Sequence, residues 1–138
     1  MPDREGSGDN PFPPGYPSYF GTDGYTRPEL LLKEAEDLAA RFDRDGLRRS
    51  QLRAFYDHAK RQLQRLQYGA PFADVHADIA KLSVVAADRA QRAVGKLPAS
   101  FKEFIDRNVK AASDRKSFEK GFMPHFEAVV GYCARIKE

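Results

Sequence analysis

From Thr26 onward the apolar residues return at steps of three and four, and no stretch alternates apolar with polar as a half-buried strand must. That habit confines the chain to helices packed on helices. Three interruptions divide it: Gly46 just after Asp45, "YGAP" at 68–71 and "GKLP" at 95–98. The spacing therefore predicts an all-α fold, a bundle of about five helices, over residues 26–138.

Each segment carries its own face. "TRPELLLKEAEDLAARF" places Leu31, Ala35, Leu38 and Phe42 together, with Thr26 as N-cap, Glu29 completing a capping box and Pro28 in the first turn. Ser50 is the expected cap of the second helix, whose apolar side is Leu52, Phe55, Tyr56, Ala59, Leu63 and Leu66. Phe72, Val75, Ile79, Leu82, Ala86, Ala90 and Ala93 line the third. Phe101, Phe104, Ile105, Val109 and Ala112 line the fourth. In the last, Phe118, Phe122, Phe126, Val129, Val130 and Cys133 align, and Gly121 with Pro124 should split it into a short turn and a longer helix.

Residues 1–25 behave differently. Prolines at 2, 11, 13, 14 and 17 forbid a continuous helix, so this part reads as a flexible N-terminal leader. Its aromatics, Phe12, Tyr16, Tyr19, Phe20 and Tyr25, would suit an arm that orders on a neighbour. The leader lacks the basic flank and apolar block of a signal peptide, and no apolar run nears the ~20 residues that cross a bilayer. Cys133 is the only cysteine, so no intramolecular disulfide forms. A cytoplasmic protein with no membrane partner is the expectation. With 138 residues, it has length for one modest core.

Charge separates the two ends. Residues 1–46 hold five Lys/Arg against ten Asp/Glu, and residues 47–138 hold eighteen against ten, which gives −5 and +8. The excess concentrates in "GLRRSQLRAFYDHAKRQLQRLQ", Gly46 to Gln67, where Asp57 is the only acid among six cations. At about 100° per residue with Arg49 at zero, Lys60 lies near ~20° and Arg53 near ~40°, beside the apolar face. Arg61 and Arg65 form a second row further round. From Arg49 to Gln64 the first row extends about 22 Å at ~1.5 Å per residue, long enough to follow several phosphates of one strand. Arginine suits that contact because its planar fork donates twice to one phosphate and its charge never titrates away. Candidate nucleic-acid-binding residues are Arg48, Arg49, Arg53, Lys60 and Arg61, with Lys81, Arg89 and Arg92 on the third helix. Lys102, Arg107 and Lys110 sit among acids and read as solvated.

Nothing in the sequence suggests catalysis, a cofactor or a metal. His58, His76 and His125 lack partners at ligand spacing, and "GSGDNPFPPG" lacks the Lys-Ser/Thr and helix of a phosphate loop. Glu127 in an apolar helix reads as a structural carboxylate pairing with an arginine or capping a neighbour, and Cys133 as a buried thiol.

Two segments resemble a known family. "LRRSQLRAFYDHAKRQL", through Ser50, Leu52, Arg53, Phe55 and Tyr56, is similar to the Ser-x-Leu/Ile-Arg-x-Phe-Tyr segment of the small subunit of type III-A CRISPR–Cas effector complexes. "FMPHFEAVVGYCARIK", through Phe126, Glu127, Ala128, Val129, Val130 and Tyr132, is similar to that Csm small-subunit family's C-terminal segment. "KLSVVAADR" at 81–89 resembles a third stretch, with Val85 at the place of a tyrosine. The resemblance covers about residues 26–138 and implies a non-catalytic helical subunit of an antiviral ribonucleoprotein, present in several copies. The implied partners are CRISPR RNA and target RNA backbone, the CRISPR RNA-binding backbone subunits, the large signature subunit and further copies of itself. Arg53 is the RNA contact implied by matching position. The rival class is a helical protein–protein adaptor whose basic face meets an acidic partner and whose leader is a docking peptide.

Overall fold

A computed structural model describes residues 10–135; residues 1–9 of the leader and 136–138 of the helical domain lie outside the described residues. The helices are α1 (Lys33–Arg44), α2 (Arg49–Gln67), α3 (Phe72–Ala90), α4 (Ala99–Ala111) and α5 (Met123–Tyr132), with no strand among the described residues. Short loops make α2, α3 and α4 successive antiparallel neighbours, while α5 packs against α1 and α2. No helix among the described residues is long and apolar enough to cross a membrane.

Phenylalanine builds the centre. Phe42 of α1, Phe55 of α2, Phe101 and Phe104 of α4, and Phe126 of α5 are all buried. Phe42 meets Phe101 and Phe104 edge-on at 5.2 and 5.3 Å, and Phe104 meets Phe126 at 5.4 Å. Such geometry sets the positive ring edge against a neighbour's negative face and adds about 0.5–1.5 kcal/mol per pair beyond area burial. α3 contributes only Val75, Ile79, Leu82 and Ala86 to the buried set, so it lies at the margin and leaves much of its surface open.

Helix ends depart from the sequence reading where tertiary partners win. Thr26 caps nothing: its hydroxyl donates to the Lys120 carbonyl at 2.7 Å, Pro28–Leu30 forms a 3-10 turn, and α1 starts at Lys33. Ser50 is not the cap of α2 either. The helix begins at Arg49, and the Gln51 side chain closes its start by accepting the Arg48 N–H at 2.8 Å while donating to the Gly95 carbonyl at 3.0 Å. Gly46 does stop α1, with φ +88° and the Leu47 N–H returning to the Phe42 carbonyl at 3.0 Å. α3 ends at Ala90, which leaves Ala93 exposed beyond it rather than on the apolar face.

The last segment does not split. Arg115–Ser117 runs into a π-helical turn, Phe118–Phe122, and on into α5. The wide turn carries the chain past Pro124, which has no N–H to give the Lys120 carbonyl. Thr26 supplies the missing donor.

The flexible leader also needs correction over its described part. Residues 10–25 form no helix, yet Phe12, Tyr16 and Tyr19 are buried against the chain's own bundle rather than held for a neighbour. Tyr19 donates to Asn108 Oδ1 at 2.7 Å, and its ring lies so close to Gly121 that a Cβ there would overlap it. Tyr16 sits within 2.6 Å of His125 Nε2, and His125 Nδ1 within 2.6 Å of the Leu30 carbonyl. A carbonyl only accepts, so Nδ1 carries the proton, Nε2 accepts from Tyr16, and Asn108 Nδ2 donates to the Tyr16 oxygen at 3.0 Å. Prolines forbid helix here; they do not forbid an extended strap whose polar atoms find buried partners.

Candidate nucleic-acid interface

α2 lies with its apolar stripe on the core and two cationic rows on either side. Leu52, Phe55, Ala59, Leu63 and Leu66 are buried, which fixes the helix rotation and therefore the direction of every charge. The first row borders α5. Arg49 is half-buried and donates to the Ala134 carbonyl at 3.2 Å. Arg53 is exposed and Lys60 half-buried, and neither has a carboxylate partner among the described residues. Between them Tyr56 donates to Glu127 at 3.5 Å. Burial first, then the Glu127 charge, raises the Tyr56 hydroxyl above its ordinary pKa. Glu127 is thus exposed beside a tyrosine and, among the described residues, not paired with an arginine as its apolar setting in the sequence suggested. Arg48 is exposed at the start of α2, also without an ion pair among the described residues.

The second row faces α3. There Ala54, His58 and Arg61 of α2 and Lys81, Val85 and Arg89 of α3 line a groove of about 210 Å³, with Phe55 and Leu82 at its floor. Among the described residues no carboxylate lines it. Arg61 is exposed and without an ion pair among the described residues. The Arg89 guanidinium lies 5.9 Å from the Phe55 ring centroid, and its Nε is buried without a hydrogen-bond partner among the described residues. His58 Nε2 is 2.8 Å from the Asp78 carbonyl, which only accepts, so Nε2 carries a proton and donates it there.

Apart from Arg48, which stands at the start of α2, the eight sequence candidates fall into three groups. Arg61, Lys81 and Arg89 come together at the α2–α3 groove, while Arg49, Arg53 and Lys60 lie along the opposite edge of α2 near α5. Arg92 belongs to neither, standing beyond α3 in an ion pair with Asp88 at 2.9 Å. Lys81 holds Asp78 at 3.0 Å, and Asp78 is shared with Arg65 at 2.7 Å. Hydrogen bonds from Lys81 and Arg65 depress the Asp78 carboxyl below its usual range. Lys102 and Arg107 pair with Asp106 and Glu103 one turn away, but both are half-buried rather than solvated, and Arg107 also covers Phe12. Sequence reasoning missed Ala54, His58 and Val85 as part of a surface. The signal was available: 54, 58 and 61 share one face of α2, and 81, 85 and 89 share one face of α3.

The titratable groups that might suggest chemistry are otherwise committed. Burial pushes the Cys133 thiol up to about 12, and lowers the His125 imidazole below its ordinary value. Among the described residues no cluster of three His, Cys, Asp or Glu is placed to hold a metal ion.

Fold and surface together define an all-α bundle with a long cationic helix held open to solvent on both flanks. The chain belongs to the family described as Csm2 Type III-A, whose model matches residues 25–138. That is the small-subunit family of the type III-A Csm complex, a CRISPR effector assembly of Csm components and RNA, and its members are generally non-catalytic. No curated protein and no solved structure matches the chain.

Proposed function

We propose that this protein is a cytoplasmic, non-catalytic small subunit that steadies the guide RNA–target RNA duplex through sequence-independent phosphate contacts and bridges the backbone and large subunits, alongside further copies of itself. The observation that carries the reading is the absence of neutralisation. Arg48 at the start of α2 and Arg53, Lys60 and Arg61 along it have no carboxylate partner among the described residues, whereas on α1 and α4 Lys33, Arg41, Lys102 and Arg107 are paired and only Arg44 and Lys110 are not. Solvated structural faces interleave their charges, because like charges at i,i+4 repel and opposite ones attract. A row in which Asp57 is the only acid suits a partner that brings its own negative charge. Arg89 and Lys81 extend the contact across the groove, Lys81 by exchanging Asp78 for phosphate; Arg49 and Arg92 complete the set at the end where α2 starts and α3 stops.

Phosphates position a polynucleotide without reading it, so base pairing with the guide is left to choose the target. Four neutralised phosphates give a slope of log K against log salt of about −3 to −4. The test belongs in the assembled complex, where several copies in line multiply a weak contact. Target-RNA retention is measured across a salt series with wild-type subunit and with Arg53→Glu/Arg61→Glu. The double reversal should weaken retention at least ~tenfold and flatten the slope by about 2. Unchanged retention and slope would sink the reading.

A further inference from the structure

The two cationic rows differ in shape, and the difference is informative. The row of Arg53 and Lys60 lies on a convex helix edge, where a phosphate chain needs only charge. The α2–α3 groove is concave and has an apolar floor, which phosphate does not require. We propose that this groove receives one unpaired RNA nucleotide, its base against Ala54, Leu82 and Val85 and its phosphate between Arg61 and Arg89. This rests on the phosphate-contact reading above and adds the base to it.

Size limits the occupant. At about 210 Å³ the groove is smaller than the ~300 Å³ at which drug-sized ligands begin, leaving room for one ring system and little more. Its chemistry is that of single-strand recognition: an apolar or guanidinium plane for the base, cations for the backbone. Ala54 and Val85 are exposed although apolar, and both lie on the groove walls. Arg89 has no carboxylate, and its buried Nε lacks an acceptor among the described residues, a deficit that a phosphate oxygen would make good once the side chain turns outward. In a continuous duplex the base faces are stacked out of reach, so the nucleotide that enters must be unpaired.

The test uses the full chain and three RNAs: a continuous duplex, the same duplex with a single-nucleotide bulge, and that bulge with its base removed. Wild type should bind the bulge about tenfold more tightly than the abasic bulge, the scale of one stacked base. Ala54→Phe fills the groove from an exposed position and should bring bulge and abasic bulge to equal affinity, read as the ratio of the two within the variant. Val85→Phe, from the opposite wall, should do the same. Equal wild-type affinity for the bulge and the abasic bulge would overturn the pocket alone and leave phosphate contact standing. No binding to any of the three at low salt would overturn the phosphate reading and this proposal with it.

Discussion

The N-terminal strap and the cationic helix are opposites in how their polar groups are treated. Over residues 10–25 there is no helical periodicity, yet the buried hydroxyls of Tyr16 and Tyr19 meet Asn108 and His125, and Phe12 lies 4.8 Å beneath the Arg107 guanidinium. Along α2 the periodicity is regular, yet Arg53, Lys60 and Arg61 find no acid among the described residues. A buried polar group without a partner costs about 1–3 kcal/mol, so the strap must satisfy its hydroxyls to exist at all. An exposed cation has water and incurs no such penalty. Satisfaction marks the part that holds the fold, and its absence marks the part left for something else.

Breaking the strap should have the largest effect. Tyr19→Ala removes a buried ring and leaves Asn108 Oδ1 without its donor, and is expected to lower unfolding free energy by about 3–5 kcal/mol in denaturant titration. A stability within about 1 kcal/mol of wild type would mean that the strap is not part of the folded core. Gly121→Ala comes next, at about 1–3 kcal/mol, since the added methyl overlaps the Tyr19 ring. Most of that loss should disappear in a Tyr19→Ala background, which a double-mutant cycle reads directly.

A smaller effect is expected from acid. Burial holds the folded His125 pKa below its ordinary 6.5. Below about pH 6.5 the unfolded chain takes up a proton that the folded chain refuses, so stability is full above that pH and declines as pH falls toward the lowered folded value. Protonation would give Nε2 a hydrogen facing the Tyr16 hydroxyl. His125→Asn should flatten the decline between pH 7 and 5; an unchanged profile would assign it to other groups. The smallest effect belongs to the cationic helix. Arg53→Glu/Arg61→Glu should leave unfolding free energy within about 0.5 kcal/mol per site, because neither headgroup has a native ion pair among the described residues to lose. A large loss of stability there would erase the contrast.

What the sequence determined by itself was whatever depends on local periodicity. Leu52, Phe55, Ala59, Leu63 and Leu66 repeat at helical spacing, so the existence of α2, its buried face and the angular position of its cations followed from counting. Gly46 announced a helix stop because few other residues take φ near +88° at no penalty. Tertiary structure alone decided which ends and which irregular residues mattered. Thr26 left its capping role because Pro124, almost a hundred residues on, freed the Lys120 carbonyl; the strap packed because Gly121 and Asn108 lay waiting for Tyr19. The groove exists because α2 and α3 run antiparallel and bring residues 54–61 beside 81–89. Short-range order is written in neighbouring residues, whereas a hydrogen bond or a cavity between distant segments depends on where the whole chain has gone.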